Sequence, residues 1–442
     1  MRNCSSEFCT LGPSAKAGIP RCFFHSHTRK QAATSLTLPS ARRHRLIASC
    51  FPKNERIFMD FLNKKPGLLI VGLVIGIGMA VLAALGNPAN MAMCAACFIR
   101  DMAGSLKLHT APVVQYFRPE IVGLVVGSFL IAIATREYRS TAGSSPMVRF
   151  LLGFIMMIGA LVFLGCPLRM VLRMAAGDLN AWVGLVGFIL GTGTGALFLK
   201  MGFSLGAERD TKPAAGMILP ALLVLGLVIS VATTLFAVSE SGPGSKHAPW
   251  IVALLIALIV GALGQKTRIC FASGFRNAWL LRDFTNLLPI AGIFVAMLIY
   301  NIAVGSFKVS FDGQPIAHAQ HLWNILGLYA VGFAAVLAGG CPLRQMIMAG
   351  QGSSDAAVTF LGLLVGAAFA HNFGLAGAAA AAATDTTAAV AGGPAFAGQV
   401  ALVVCIALLF VLAIANIRKK SKPTVVADPQ EAAEDTTTDQ AA

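Results

Sequence analysis

Cysteine and arginine recur together in two pairs of matching motifs. MCAACFIRDMAG (93–104) matches ICFASGFRNAWL (269–280), and GCPLRMVLRMAAGDLNA (165–181) matches GCPLRQMIMAGQGSSDA (340–356). The cysteines of the two motifs are 72 residues apart in the first copy and 71 in the second. A shared GCPLR at nearly constant distance from a second matching motif indicates an internal duplication. The matched residues are Cys94 with Cys270, Arg100 with Arg276, Asp101 with Asn277, Cys166 with Cys341, and Arg169 with Arg344.

These residue types suit the passage of a small, soft anion. A thiol is a weak donor that can contact a sulfur or selenium atom without trapping it, and an arginine offers a fork of donors to an oxyanion. A series of weak sites allows release, which tight binding would prevent. We therefore predict these substrate-binding residues, and no catalytic ones: Cys94, Cys97, Cys166, Cys270, Cys341, Arg100, Arg169, Arg276 and Arg344.

Other interpretations of the same residues stay open. A cysteine in an apolar helix is often only a small hydrophobic residue, which is our interpretation of Cys405. Cys94 and Cys97 have the CxxC spacing of redox pairs, although the second copy has Ser273 in place of the second thiol. A zinc-type site needs clustered ligands, so we expect no metal and no cofactor. Arg100 could instead form a salt bridge with Asp101.

The motifs predict interrupted helices. In GCPLR a proline follows the cysteine, so the preceding span should end or kink at Cys166 and at Cys341. A short helix should follow each break, over 168–176 and 343–349, with N-terminal amides able to face an anion. The stretch 88–107 is too short for two crossings and resembles a re-entrant element.

The bulk composition is that of a membrane protein. Hydrophobic residues make up 56% of the 442, charged residues 12%, and the mean hydropathy is +0.75. Continuous apolar runs favour helices over a barrel. The net charge of +15 does not form a basic patch interleaved with aromatics, so we expect no nucleic-acid partner. Ten spans are predicted: about 67–86, 119–135, 147–165, 181–200, 216–238, 248–264, 285–304, 323–339, 355–373 and 397–417.

The predicted organisation follows the duplication. Residues 1–58 are basic and lack apolar periodicity, as in an organellar transit peptide or an over-extended start before Met59, and we expect disorder there. Histidines 109, 318, 321 and 371 show no partner spacing and are interpreted as interfacial, and Asp178 and Asp355 as helix caps. The remaining segments are the first repeat half (59–212), a linking span (213–244), the second half (245–375), a loop with the last span (376–420) and a disordered acidic tail (421–442). We interpret the stretch 374–395 as a flexible loop or a weakly helical connection.

The spans also predict the orientation of the two copies. Lysine and arginine favour a cytoplasmic N-terminus and C-terminus, with the basic first outer loop (Arg100, Lys107, Arg118) as the exception. The second copy starts five crossings after the first, and an odd offset inverts it. Inverted repeats place substrate sites at their interface near mid-membrane. We expect Cys94 and Cys166 to approach from the outer side, and Cys270 and Cys341 from the inner side.

MCAACFIRDMAG, KTRICFASGFRN and both GCPLR motifs resemble the YeeE/YedE family of membrane proteins, over nearly all of residues 65–420. The likeness is closest to its YedE-type branch associated with selenium metabolism. The resemblance implies an hourglass-like, all-α polytopic fold of inverted halves, and embedded cysteines that relay the substrate. The relay residues would be Cys94, Cys166, Cys270 and Cys341. Cys97 is an additional thiol, so selenite or a reduced selenium species is as credible a substrate as thiosulfate.

The sequence therefore predicts a bacterial inner-membrane transporter or facilitator, not an enzyme, for a small sulfur- or selenium-containing anion. No GxxxxGK[ST] occurs, so the chain itself does not hydrolyse ATP. Two alternatives are a thiol-redox or sulfur-transfer protein acting through Cys94 and Cys97, and a non-transporting partner of a cytosolic enzyme. The expected partners are the anion, the lipid bilayer and a cytosolic sulfur or selenium carrier protein.

Overall fold

The computed structural model describes residues 64–381 and 390–417. Within these residues, nine helical segments are long and apolar enough to cross a membrane, and Pro119–Ala134 is a shorter apolar helix. The described strands are only two residues long. The chain is therefore an all-α polytopic membrane protein, as the composition predicts.

The helices repeat in order along the chain. The first copy comprises α1 (Lys65–Ala84), α2 (Ala95–Ser105), α3 (Pro119–Ala134), α4 (Pro146–Phe163), α5 (Pro167–Ala175), α6 (Leu179–Lys200) and α7 (Pro213–Ala232). A single turn, α8 (Gly242–Ser245), leads into the second copy. The second copy comprises α9 (Trp250–Thr267), α10 (Phe271–Leu281), α11 (Leu288–Ala303), α12 (His321–Leu337), α13 (Pro342–Gln351), α14 (Ser354–Asn372) and α15 (Phe396–Ala415). The strands β1 (Thr141–Ala142) and β2 (Arg209–Asp210) pair antiparallel between helices of the first copy.

A helix is found at each of the ten predicted spans, and both predicted short helices are found after the GCPLR prolines. The first break begins slightly earlier than predicted, because α4 ends at Phe163 and Leu164 adopts a left-handed conformation. The predicted re-entrant stretch contains only the short helix α2, all of whose residues are buried.

The two copies exchange helices. The first helix of each copy packs against the third helix of the other, so α1 lies on α11 and α9 lies on α3. The fourth and sixth helices are exchanged likewise, so α4 lies on α14 and α6 lies on α12. The fourth helices of the two copies, α4 and α12, also contact each other. Each copy thus completes the core of the other.

Glycines bring these exchanged pairs together. A Cβ added at Gly72 of α1 would overlap the backbone of Pro289 in α11, and one at Gly127 of α3 would overlap the backbone of Leu258 in α9. Glycines in α6 meet α12 in the same way. Membrane helices associate through such small residues because lipid offers no hydrophobic driving force between them.

We expect Gly187→Ala to destabilise the fold. The added methyl would overlap the carbonyl oxygen of Ile325, and rigid backbone cannot move aside. Overpacking of this kind costs about 1–3 kcal/mol. The measurement is the midpoint of thermal unfolding in detergent. The matched control is Gly78→Ala, whose methyl would meet only one side-chain methyl group, Ile256 Cγ2 at 3.0 Å, and no backbone atom. An equal shift in both variants would contradict the prediction.

The described ends of the connection after α14 are not helical. Its described ends are joined by two isolated antiparallel bridges, Ala378 with Gly393 and Ala381 with Val390. Residues 382–389 between them lie outside the described residues, as do 1–63, with the predicted extension, and 418–442, with the predicted tail.

Candidate functional site

The GCPLR motif is explained by its local geometry. The cysteine is the residue that caps the short helix, the proline is the first helical residue, and the leucine is buried. Proline suits that position because its missing N–H would have no helical partner. A Cβ at Gly165 would lie 2.8 Å from the Arg169 side chain, and one at Gly340 would lie 2.8 Å from that of Arg344. The glycine therefore makes room for the arginine of its own motif.

All four repeated cysteines cap short helices. Cys94 caps α2 and Cys166 caps α5, while Cys270 and Cys341 cap α10 and α13. A helix N-terminus carries a partial positive charge and unpaired N–H groups, which favour anions. The thiols of Cys94 and Cys270 accept a hydrogen bond from the first turn of their own helix, whereas those of Cys166 and Cys341 occupy the same position without such a bond.

The first thiol cluster consists of Cys94, Cys97 and Cys166. The Sγ atoms of Cys94 and Cys166 are 3.7 Å apart, well beyond the about 2.05 Å of a disulfide, so both thiols are free. The backbone N–H of Cys97 donates to Cys94 Sγ at 3.4 Å. All three side chains are buried.

Arg169 supplies the positive charge of the first cluster. Its guanidinium is fully buried and lies 3.8 Å from Cys97 Sγ through Nη1. It donates to the backbone carbonyls of Asn90, Leu164 and Ile316, and forms no salt bridge with a described carboxylate. Backbone carbonyls satisfy the donors without neutralising the charge, so the cluster remains cationic.

The second thiol cluster repeats this arrangement with one change. Cys270 Sγ lies 3.8 Å from Cys341 Sγ, and both are free. The backbone N–H groups of Ser273 and Cys341 donate to Cys270 Sγ, at 3.4 and 3.5 Å. Ser273 occupies the place of Cys97, so this cluster has two thiols and a hydroxyl.

Arg344 differs from Arg169 in having unused donors. Its guanidinium donates no hydrogen bond within the described residues, and its Nη1 atom is buried. Gly340, which packs on the Arg344 side chain, also lines a narrow cleft with Ser273, Arg276 and Gly339. The second cluster therefore combines a cleft with an uncommitted guanidinium.

Arg100 and Arg276, the other two arginines predicted to bind substrate, differ in their partners. Arg100 is buried in a salt bridge with Asp101, 2.7 Å long, and Arg118 binds the other oxygen of Asp101, also at 2.7 Å. The salt-bridge interpretation of Arg100 is therefore confirmed. Arg276 makes the same contact with the uncharged Asn277, so its charge is not neutralised there.

These ion pairs also explain the unusual basic loop. Arg100 and Arg118 are buried beside Asp101 rather than exposed between spans, so they are not the loop charges that determine topology. Lys107 is then the one basic residue of that loop that still conflicts with the predicted cytoplasmic N-terminus.

Several buried polar residues were missed or misread from the sequence. Arg173 is paired with Asp178 at 2.6 Å, and Asp178 caps α6 as predicted. Asp355 does not cap α14, because Ser353 does so. Asp355 instead accepts hydrogen bonds from Ser144, just before α4. The spacing of five residues between Arg173 and Asp178 could have indicated their ion pair from the sequence.

Two of the four histidines are buried inside the protein, His109 and His318. His109 is buried and stacks on His371 with ring centroids 4.7 Å apart, a contact that their separation in sequence hides. His318 is also buried, within 2.8 Å of the carbonyl oxygen of Val162. No group of three or more His, Cys, Asp or Glu within the described residues is placed to hold a metal ion.

The fold and the buried thiols define a polytopic helical membrane protein with two internal cysteine–arginine clusters. The family model described as sulphur transport matches residues 266–441, which include the second cluster. The thiosulfate transporter TsuA of Spirochaeta thermophila (strain ATCC 700085 / DSM 6578 / Z-1203) is 29% identical over 113 residues, 25% of this chain. The match covers 33% of that transporter, so the chain spans about a third of this relative's length.

Proposed function

We propose that this protein is an inner-membrane transporter for a small sulfur- or selenium-containing anion, relayed between the two thiol clusters. The observation that carries the proposal is the pairing of buried thiols at helix N-termini, once in each copy, beside an arginine without a carboxylate partner. The similarity to sulphur transport proteins and to a thiosulfate transporter supports the same substrate class.

The two ends of an anion such as thiosulfate require different contacts from the protein. A terminal sulfur or selenium atom is soft, and it can accept weak hydrogen bonds from Cys94 and Cys166 or from Cys270 and Cys341. The oxyanion end needs charge compensation, which Arg169 and Arg344 supply. The short helices of the two copies touch, α2 with α13 and α5 with α10, so an anion released from one cluster has a short path to the other.

The inverted arrangement of the copies is part of this proposal. Inversion places the first cluster on the outer side of the membrane and the second on the inner side, with both termini in the cytoplasm. The support for inversion is the odd number of predicted spans, five, between the start of the first copy and the start of the second. The main exchanged contacts, α1 with α11 and α9 with α3, fit two copies related by a two-fold axis. The route then runs from one cluster to the other, with passage in weak steps.

Uptake of labelled thiosulfate into proteoliposomes tests the proposal. Wild-type protein should concentrate or equilibrate the label without any soluble enzyme, and Cys341→Ser should slow uptake by about tenfold or more. The matched control is Cys405→Ser, since Cys405 is a buried thiol in α15 that caps no helix. Equal rates for the two variants would contradict the relay, and no uptake by wild type would contradict transport.

The anion itself is identified by competition. Unlabelled selenite, sulfide and thiosulfate should differ in how well they reduce uptake of the label, and the strongest competitor marks the preferred chemistry. Sulfate has no soft terminal atom for the thiols, so we expect it to compete least. Competition by selenium anions would place the chain in the selenium branch that its motifs resemble.

A second candidate function rests on Cys94 and Cys97. Cys94 is the capping residue of α2 and Cys97 lies in its first turn, which is the placement of thiol-redox pairs. This interpretation makes the chain a membrane thiol-redox or sulfur-transfer protein. Loss of activity in Cys97→Ser, with full activity in Cys166→Ser and Cys341→Ser, would favour it over transport.

A further inference from the structure

A buried carboxylate without a salt-bridge partner among the described residues is linked, through one side chain, to the segment that precedes Cys94. Glu120 lies in the first turn of α3 and has no exposed surface. Its Oε1 atom accepts a hydrogen bond from Asn87 Nδ2 at 2.8 Å, whereas Oε2 has no hydrogen-bond partner within the described residues. Glu120 forms no salt bridge with a described residue, unlike Asp101 nearby. Ionisable groups buried in membrane proteins without a fixed partner are typical of proton relays.

Asn87 connects this carboxyl group to the first thiol cluster. The Asn87 amide is fixed in orientation, because its oxygen accepts from Ala248 N–H at 2.8 Å and its nitrogen also donates to the Ala92 carbonyl at 2.6 Å. Ala92 lies two residues before Cys94, and Asn90, two residues earlier still, accepts from Arg169. The segment that positions Cys94 is therefore hydrogen-bonded, through one side chain, to Glu120.

The charged and titratable groups nearest Glu120 in sequence and in its network have other roles. Arg118 and Asp101 belong to the salt-bridge network described above. Tyr116 stays protonated near neutral pH, because burial and then the charge of Glu120 raise its pKa to about 12. His247 stacks on Tyr116, and burial lowers the pKa of His247, so it is neutral at pH 7.

Of the helices packed on α3, α2 contributes Cys97 of the first cluster and the paired Arg100 and Asp101, and the others add no further carboxylate or histidine. α7 contains no titratable residue, and the one in α9 is Lys266, which binds Glu137 beyond the other end of α3. α13 packs on the middle of α3 through Ile347, whose carbonyl accepts from Ser128, and its one charged residue is Arg344 of the second cluster.

We propose that Glu120 binds and releases one proton in each transport cycle, so that the anion moves together with a proton in the same direction. With Glu120 ionised, its charge and that of Asp101 balance Arg100 and Arg118. With Glu120 protonated, the group carries one net positive charge close to Cys94, which favours an anion there. Linkage makes the effect reciprocal, since a bound anion then favours the protonated carboxyl group.

This inference rests on the proposed transport function, and the assay separates the two. Proteoliposomes contain a pH-sensitive dye, and labelled thiosulfate is added outside. Wild-type protein should take up label and acidify the lumen, with uptake about tenfold faster at about pH 6 than at about pH 8. Glu120→Gln keeps the bond from Asn87 but cannot ionise, so it should take up label without acidification and with a rate that changes little with pH.

Two further variants keep the test decisive. Glu120→Asp retains an ionisable group and should restore acidification, even if Glu120→Gln folds poorly. Glu137→Gln removes a carboxylate that pairs with Lys266, and it should behave as wild type. Acidification by Glu120→Gln at the wild-type rate, or wild-type uptake without any acidification, would overturn proton coupling alone. No uptake by wild-type protein would instead overturn the transport function.

Discussion

Replacing Arg344 by glutamine should remove most anion uptake and leave the folded protein almost as stable as before. Arg344 donates no hydrogen bond within the described residues, so few native contacts depend on its guanidinium. It also lies in the first turn of α13, where a cation is unfavourable to the helix dipole. Its positive charge is therefore maintained at a cost to the fold, which a role in binding an anion explains.

The expected loss is about 100-fold in the uptake rate at low substrate concentration, because hydrogen bonds to charged groups contribute about 1.5–3 kcal/mol. Proteoliposome uptake and the thermal midpoint of the same preparations measure the two effects. Arg344→Lys keeps the positive charge but loses the planar set of guanidinium donors, so its uptake rate should lie between those of wild type and Arg344→Gln.

Two comparison variants test whether the effect is specific. Arg139→Gln removes an exposed arginine that pairs with Asp210, and it should change neither rate nor stability. Arg169→Gln should lose uptake and stability together, because three backbone carbonyls would lose their donors. If Arg344→Gln were as unstable as Arg169→Gln, Arg344 would be a structural residue.

Asp101→Asn should destabilise the protein more than either Gly187→Ala or Arg344→Gln. Asp101 is fully buried between Arg100 and Arg118, with 2.7 Å to each. Removing its charge leaves two buried guanidinium groups without a counter-charge, and breaking a buried ion pair in this way costs about 3–5 kcal/mol. We expect a large fall in the thermal midpoint and in the yield of monodisperse protein.

The control for this prediction is Asp283→Asn. Asp283 is exposed between α10 and α11, where Thr285 N–H donates to its side chain, so its replacement should leave the midpoint nearly unchanged. If the thermal midpoint of Asp101→Asn equalled that of wild type, the charges of Arg100 and Arg118 would not depend on Asp101 for stabilisation, and the prediction would be wrong. The second copy already has asparagine at the matching place, Asn277, whose side chain accepts from a single arginine among the described residues, Arg276.

The spans and the breaks could be predicted because they depend on local signals. A run of about 20 apolar residues defines a membrane helix, and a proline after a glycine and a cysteine interrupts it. The duplication then predicted that the two GCPLR motifs share one geometry, and both do cap short helices. The structure brings Cys94 to Cys166 and Cys270 to Cys341, and the outer and inner sides assigned to the two pairs stay a prediction.

The polar network could not be predicted, because its members are far apart in the sequence. Asn87 and Glu120 meet only after α1 and α3 have been placed, and His109 reaches His371 across almost the whole described chain. The difference between Arg169 and Arg344 is equally invisible in two identical GCPLR motifs. It depends on which backbone carbonyls fold over each guanidinium, and only Arg169 has such carbonyls around it.

The exchange of helices between the copies has a consequence for biogenesis. α1 leaves the ribosome long before α11, and α3 long before α9, although these are the helices with which they pack. Until the second copy is inserted, Gly72 and Gly127 face lipid or the insertion machinery instead of a neighbouring backbone. Final assembly must therefore follow synthesis of most of the chain, and a nascent chain stalled before α9 would hold several helices without their partners, as a substrate for membrane quality control.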